Sequence, residues 1–275
     1  MSELVALGKA GTAIRAANAE GRGALVGYLP AGFPTYDGAL DGLKALVDGG
    51  ADVLELGLPY SDPVMDGVTI QRATEAALAG GLRTRDVLST VEKIAAYSDV
   101  PVLVMTYWNP IERYGVDRFA ADFASSGGAG LITPDLIPDE GAEWIAAADK
   151  HELDKVFLVS PSSTDERIAM TTAACRGFVY ATAVMGVTGA RDKPSELAAP
   201  LVARVKAATQ VPVGVGLGIS NGEQAAGVAA FADAAIVGAA LVKALGDGGP
   251  AAVRELTEEL AEGVRRREPS ATTGR

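Results

Sequence analysis

Cysteine and histidine are almost absent from this chain of 275 residues, which contains one of each, Cys175 and His151. A single cysteine excludes an internal disulfide and a cysteine-rich zinc site. A single histidine excludes a multi-histidine metal site and a serine–histidine catalytic triad. We therefore expect no bound metal in this chain, and we expect carboxylates or tyrosines to carry any proton chemistry.

Positive charge is also scarce, because 24 lysines and arginines stand against 35 aspartates and glutamates, a formal net charge of −11. Nucleic acids and anionic membranes need a positive surface, so neither partner is expected, although a local basic pocket for a small phosphate stays open. The longest uncharged stretch, 207–222, contains Pro212 and several glycines and is too short to span a bilayer. Nothing near the N-terminus resembles a targeting signal, and a single cysteine suits a reducing compartment, so we expect a cytoplasmic protein.

Short apolar runs recur at intervals of roughly 30 residues, and almost every interval holds one amphipathic segment of helix length. The runs are ALVGYL near residue 24, ADVLELGL near 51, VPVLVMTY near 100, GAGLIT near 128, KVFLVS near 155, GFVYAT near 177, VPVGVGLG near 211 and ADAAIVG near 232. This alternation predicts βαβ units with a parallel sheet, and the number of units fits an α/β (β/α)8 TIM barrel. A doubly wound open sheet is the alternative, but its glycine fingerprint is missing after the first run.

The domain organisation follows from this pattern. We predict a single barrel domain over 1–268, with an additional N-terminal helix and with extended loops after the second and sixth strands. The last residues, 269–275, are small and polar, and we expect a frayed tail there.

Two carboxylates near the second run are candidate catalytic residues. Side chains alternate along a strand, so Glu55 in DVLELGL points into the barrel if the neighbouring leucines face the helices. Burial would then raise the pKa of Glu55, which suits a general acid, whereas a salt bridge at the strand end is the structural alternative. Asp66 lies in the following loop, where turn-forming aspartates are common. Its place on that loop would let the two carboxylates divide acid and base roles.

Glycines at the ends of the last two runs indicate a phosphate site. The seventh run ends in GVGLGIS, and the eighth ends in IVGAAL and continues directly into a helical segment. Glycine lets the backbone approach an anion, and barrels often bind phosphate with these loops and a helix N-terminus. A Schiff-base aldolase is not expected, because Lys155 opens the fifth strand at the opposite end of the barrel, and the other seven lysines fall in predicted helices, loops or the N-terminal segment.

Several sequence blocks resemble the α chain family of tryptophan synthase and occur in that family's order. The blocks are ELGLPYSDPVMDGVTIQ at 55–71, MTYWNPIERYG at 105–115, LITPDLIPDE at 131–140, GVTGARD at 186–192 and GLGIS at 216–220. The resemblance implies a barrel that cleaves indole-3-glycerol phosphate to indole and glyceraldehyde 3-phosphate, with no cofactor of its own. It also implies a β chain as partner, in a heterotetramer of two α and two β chains, where pyridoxal phosphate (PLP) on the β chain joins indole to serine.

The same resemblance assigns roles to individual residues. Glu55 is the acid for indole C3, and Asp66 stabilises the charge that develops at the indole N–H. The remaining positions are Tyr28, Met105, Tyr107, Ile132, Tyr180, Thr188 and Leu217 for substrate, Gly189, Gly218, Gly238 and Ala239 for phosphate, and Asp62 and Asn109 for the partner. Of the substrate positions, Tyr28, Met105, Tyr107, Ile132 and Leu217 are expected to form an apolar slot for the indole. This chain departs from the family pattern at two places. Many relatives have serine at the position of Ala239, and some have an arginine near the positions of Val184 and Met185.

Two other functions stay open at this point. A non-catalytic barrel could bind a phosphorylated ligand and regulate a partner enzyme, but Glu55, Asp66 and Thr188 together favour catalysis. Another phosphate-binding barrel, such as a pentose-phosphate epimerase, usually has metal-binding histidines, and one histidine is too few. The sequence therefore favours a carbon–carbon lyase that acts as one subunit of a two-enzyme complex.

Overall fold

The computed structural model describes residues 7–182, 197–216 and 218–266 of the chain. The strands in these ranges are β1 Ala24–Pro30, β2 Val53–Gly57, β3 Val102–Met105, β4 Gly130–Ile132, β5 Asp154–Val156, β6 Leu158–Val159, β7 Val179–Thr182, β8 Val213–Gly216 and β9 Ala234–Val237. The helices are α1 Gly8–Ala19, α2 Tyr36–Asp48, α3 Val68–Ala79, α4 Thr84–Ala95, α5 Trp108–Tyr114, α6 Val116–Ser125, α7 Ala142–Lys150, α8 Asp165–Ala174, α9 Ala198–Ala208, α10 Gly222–Ala229 and α11 Ala239–Arg265.

The strands form one closed parallel barrel. Their order in the sheet is β5-β4-β3-β2-β1-β9-β8-β7-β6, and each neighbouring pair of these strands is parallel. The two ends of this order, β5 and β6, are halves of one strand that Phe157 divides. The carbonyl oxygen of Phe157 accepts a hydrogen bond from Tyr180 N at 3.1 Å, which ties the divided strand to β7. The predicted (β/α)8 barrel is confirmed, with the fifth of the eight predicted strands split in two.

Side-chain alternation sorts the strands into an inner and an outer layer. Leu54 and Leu56 belong to the large apolar cluster between the sheet and the surrounding helices. Val53 belongs to a separate cluster inside the barrel, together with Val26 and Leu103. Glu55 shares the face of Val53, so its side chain points into the barrel, as the alternation predicted.

The additional N-terminal helix, α1, covers the end of the barrel at which the strands begin. Its buried residues Ala10, Ile14 and Ala17 belong to the inner apolar cluster. The side chain of its N-cap residue, Leu7, forms no capping hydrogen bond. The carboxylate of Asp154, the first residue of β5, instead accepts a hydrogen bond from Ala10 N at 2.8 Å.

The loops at the opposite end of the barrel hold most of the predicted site. The segment 58–67 connects β2 to α3 and contains neither helix nor strand. The loop predicted after the sixth barrel strand, here β7, lies mostly outside the described residues. The predicted domain limits stay predictions, and the tail 269–275 also lies outside the described residues. No helix in the described part of the chain is both long enough and apolar enough to cross a bilayer.

Candidate active site

Glu55 occupies a buried position inside the barrel. Its side chain is only 2% exposed, and its Oε2 atom has no hydrogen-bond partner among the described residues. Burial, with a smaller contribution from the negative charge of Asp66, raises the pKa of Glu55 to about 8. The carboxyl group therefore carries a proton at neutral pH and can donate it to a substrate atom. Within the described ranges no cation pairs with Glu55, so the salt-bridge alternative finds no support.

Asp66 lies on the loop after β2, where hydrogen bonds from two other segments hold the backbone in place. Gln71 Nε2 donates to the carbonyl oxygen of Asp66 at 2.8 Å, and Met65 N donates to the hydroxyl of Tyr107 at 2.9 Å. Burial raises the pKa of Asp66, whereas a hydrogen bond with the Tyr107 hydroxyl lowers it. The net effect is a raised pKa for Asp66, but Glu55 lacks an opposing hydrogen bond of this kind, so of the two carboxylates only Asp66 has a neighbouring donor that stabilises its charge.

Two tyrosine hydroxyls lie on the inner surface of the barrel near Glu55. Tyr28 on β1 is in register with Glu55 on β2, and a side-chain carbon at Gly57 would collide with the Tyr28 hydroxyl. On the other side, a side-chain carbon at Gly216 would be 2.5 Å from the Tyr180 hydroxyl. Burial raises the pKa of both phenols well above the ordinary value, and the charge of nearby carboxylates raises it further. Both tyrosines therefore keep their protons and can donate hydrogen bonds.

Apolar side chains form the wall beside these polar groups. Met105 and Ile132 are in register on β3 and β4, at the level of Gly57 on β2, and both pack against the inner cluster. Tyr107, two residues after the end of β3, is also buried. This wall suits a flat aromatic group such as the indole, for which these residues were predicted. Leu217, predicted for the same slot, lies outside the described residues.

Two of the predicted phosphate residues, Gly238 and Ala239, lie at the N-terminus of α11. This helix begins at Ala239 after Gly238 and has no side-chain cap, while Gly218 has a left-handed backbone with a φ of 69°. A cleft of about 310 Å³ opens beside it, lined by Thr69, Ser220, Ala239, Ala240, Lys243, Ala244, Asp247 and Leu256. Uncapped N–H groups and hydroxyls suit a phosphate, whereas the ammonium of Lys243 in this cleft is paired with the carboxylate of Asp247. Thr188 and Gly189 lie outside the described residues.

The two residues predicted to face a partner lie on the outer surface. Asp62 is exposed and accepts a hydrogen bond from the Ser61 hydroxyl at 2.6 Å. Asn109 lines a separate cleft of about 370 Å³ between the loop after β2, α4 and α5. Near Asp62, the side chains of Val64 and Val68 are 75% and 60% exposed. Exposed apolar side chains four residues apart in the chain are consistent with a surface that binds another protein.

Two functional contacts were not predicted from the sequence patterns. Gln71 is the last residue of the block at 55–71 that resembles the family. Its position five residues after Asp66 is the only sequence feature that could have indicated its contact with the loop. Tyr107 was expected to be part of an apolar wall, but its hydroxyl also anchors the loop that carries Asp66. In the described part of the chain, no cluster of three or more histidine, cysteine, aspartate or glutamate side chains is arranged to hold a metal ion.

Comparison with known proteins was made by sequence and by structure. A model of the family described as tryptophan synthase alpha chain matches residues 14–270. The tryptophan synthase alpha chain of Mycobacterium intracellulare is 60% identical over 90% of this chain and 91% of that protein. The one from Acidothermus cellulolyticus is 59% identical over 93% of this chain and 97% of that protein. The structure of Mycobacterium tuberculosis tryptophan synthase matches with a TM-score of 0.90 and 55% identity, covering 96% of this chain and 99% of that chain.

Proposed function

Because the chain belongs to the tryptophan synthase α chain family, we propose that Glu55 and Asp66 catalyse that family's reaction here. The chain is an enzyme subunit that cleaves indole-3-glycerol phosphate to indole and glyceraldehyde 3-phosphate. The residue assignment rests on the burial of Glu55, whose pKa of about 8 keeps it protonated. Glu55 lies on the wall of the space inside the barrel beside Met105 and Ile132, which we call the chamber. The comparisons give no support to the non-catalytic alternative.

Cleavage requires that indole C3 first accept a proton, because otherwise the carbon would leave as an unstable anion. Glu55 donates its proton to C3 and becomes a carboxylate. It then removes the proton from the hydroxyl on the adjacent glycerol carbon, whose O–H electrons form the new carbonyl group. The carbon–carbon bond breaks, its electrons restore the aromatic indole, and Glu55 is protonated again. Each positioned proton transfer contributes about 10²–10⁴-fold in rate.

Asp66 acts on the nitrogen of the indole in this proposal. Protonation of C3 leaves positive charge on the ring nitrogen, and an ionised carboxylate that accepts a hydrogen bond from the N–H stabilises that charge. The contacts of Gln71 and Tyr107 with the loop hold Asp66 in place before substrate arrives. Preorganisation of this kind avoids a reorganisation cost during the reaction.

The test of the proposed function is direct. The purified chain is incubated with indole-3-glycerol phosphate, and indole is measured with and without a β chain. Indole formation by the chain alone supports the proposal, and a rise on addition of the β chain supports the partner. A chain that binds the substrate but releases no indole under both conditions would contradict it.

The phosphate of the substrate is proposed to bind at the N-terminus of α11, where Ala239 supplies a backbone N–H but no hydroxyl. We predict that Ala239→Ser tightens binding of glycerol 3-phosphate by a few-fold, since the added hydroxyl can donate to a charged oxygen. Binding of indole should not change. The phosphate is remote from the breaking bond, so KM should fall more than kcat rises. Isothermal titration of both proteins with glycerol 3-phosphate measures this difference. Weaker binding by the serine variant would show that the phosphate does not bind at this helix N-terminus as proposed.

The partner is proposed to be a tryptophan synthase β chain, in a cytoplasmic heterotetramer of two α and two β chains. PLP would belong to the β chain, and this chain would hold no cofactor. The exposed Val64 and Val68 beside Asp62, at the open end of the barrel, support a docking surface there. Indole released inside the barrel would leave at this same end.

Asp62→Ala should weaken the mutual activation of the two chains more than it weakens cleavage by this chain alone, since Asp62 is exposed and does not line the chamber. The measurement is a titration with β chain that follows both activities. Glu20→Ala is a matched control, because Glu20 is an exposed carboxylate before β1, at the opposite end of the barrel. If Asp62→Ala and Glu20→Ala both give the same activation curve as the unchanged protein, Asp62 has no part in activation by the β chain, and its loop serves only as a turn.

A further inference from the structure

The side chain of Tyr28 extends across the inner surface of the barrel and places its hydroxyl beside Gly57, two residues after Glu55 on β2. A side-chain carbon at Gly238 would be 3.4 Å from Tyr28 Cδ1, whereas one at Gly57 would collide with the hydroxyl itself. Gly57 lies on the same face of β2 as Glu55 and is the next inward position toward the open end of the barrel. The Tyr28 hydroxyl therefore lies between Glu55 and the chamber mouth.

The titratable groups whose charge acts on this hydroxyl come from four different segments. They are Glu55 on β2, Asp66 on the loop after β2, Tyr107 at the end of β3, and Tyr180 on β7. The described residues place no lysine or arginine among them. The phenol of Tyr28 is therefore protonated at neutral pH and serves as a hydrogen-bond donor. Glu55 Oε2 is a buried acceptor without a partner on the same inner surface.

We propose that Tyr28 is a positioning residue whose hydroxyl donates a hydrogen bond to Glu55 while Glu55 is ionised. This inference rests on the proposed function of Glu55. In the reaction, Glu55 is a carboxylate after its proton has moved to indole C3 and before it takes the proton of the glycerol hydroxyl. A donor at this point stabilises a charge that burial disfavours. The Tyr28 proton stays on the phenol throughout, so the proton balance of the reaction is unchanged.

The role of Tyr28 can be separated from that of its ring. The ring fills space between the flanking strands, and Gly57 and Gly238 leave room for it. Tyr28→Phe keeps this packing and removes one oxygen. Tyr97→Phe is the matched control, because the Tyr97 hydroxyl donates to Asp48 at 2.8 Å on the outer surface.

Tyr28→Phe should lower kcat by about 10- to 100-fold, as expected for loss of a hydrogen bond to a charged group. KM should change little, because the bond strengthens only after substrate has bound and the proton has moved. The pKa of Glu55 should rise in the free subunit, because its carboxylate has lost a donor. An infrared titration can follow this pKa through the carboxyl band that disappears in Glu55→Gln. Tyr97→Phe should leave kcat, KM and this band unchanged.

The possible outcomes distinguish this inference from the function on which it rests. An unchanged pKa of Glu55 in Tyr28→Phe would overturn the inference, as would a higher KM with unchanged kcat, which would indicate a contact with substrate instead. Near-normal turnover by Glu55→Gln would overturn the proposed function, whatever Tyr28→Phe does. The double variant gives a further check. If Tyr28→Phe lowers the residual rate of Glu55→Gln by the same factor by which it lowers the rate of the unchanged protein, the hydroxyl acts independently of Glu55, and the inference is also overturned.

Discussion

Glu55→Gln should reduce indole formation by about 10²–10⁴-fold while substrate binding survives. Glutamine has nearly the same shape as glutamate but cannot give or take a proton, so the variant keeps the chamber and loses the chemistry. Indole release measured by initial rates, together with isothermal titration of indole-3-glycerol phosphate, separates the two effects. Turnover close to that of the unchanged protein would remove Glu55 from the mechanism.

Asp66→Asn gives a second view of the same site. It should also lose most activity, because an amide cannot stabilise the positive indole nitrogen as a carboxylate does. It should in addition lower the pKa of Glu55, since the negative charge of Asp66 is one cause of the raised value. In the unchanged protein, kcat/KM should fall as the pH rises through about 8, where free Glu55 loses its proton. In Asp66→Asn this fall should occur at lower pH.

Asp154→Ala should lower the free energy of unfolding by about 1–3 kcal/mol at pH 5, because α1 loses its only N-terminal cap among the described residues. The Asp154 side chain is completely buried, and its Oδ2 accepts the hydrogen bond from Ala10 N. A side-chain carbon at Gly8 would overlap the Asp154 carboxyl group, so the start of α1 is built around it. Chemical denaturation measures the loss, and Asp154→Asn is the matched control because its amide oxygen can still accept from Ala10 N.

The stability that Asp154 contributes should depend on pH in a defined direction. Burial raises the pKa of Asp154 to about 6, although the bond from Ala10 N and the charges of Arg176 and Lys9 oppose this rise. The pKa of Asp154 in the folded protein therefore lies above the pKa of an aspartate in the unfolded chain. For this reason, the stabilisation by Asp154 is complete below about pH 4 and is lost as the pH rises through about 6. Asp154→Asn cannot ionise, so the unchanged protein should lose stability relative to it between these pH values. A difference that is constant across this range would show that Asp154 does not titrate there.

The sequence by itself determined the barrel, the inward position of Glu55 and the family. The number of apolar runs, their spacing and the alternation within DVLELGL are local properties of the chain, and local properties decide which residues form strands and which face is buried. The placement of Asp66 on the loop after the same strand followed for the same reason. Glycines at the last two strand ends led to the predicted phosphate site, which stays a prediction.

Only the tertiary structure decided how these elements act on each other. The cap of α1 joins residues 144 positions apart, and the bond between Met65 and Tyr107 joins residues 42 positions apart. The pKa of Glu55 depends on complete burial and on the approach of Asp66, and neither exists before the barrel closes. The same holds for Tyr28, which the family resemblance assigns to the apolar slot for the indole, and whose hydroxyl the closed barrel places beside Gly57. Periodicity assigns a side chain to a face, whereas its partner on another strand is chosen only when the strands are brought together.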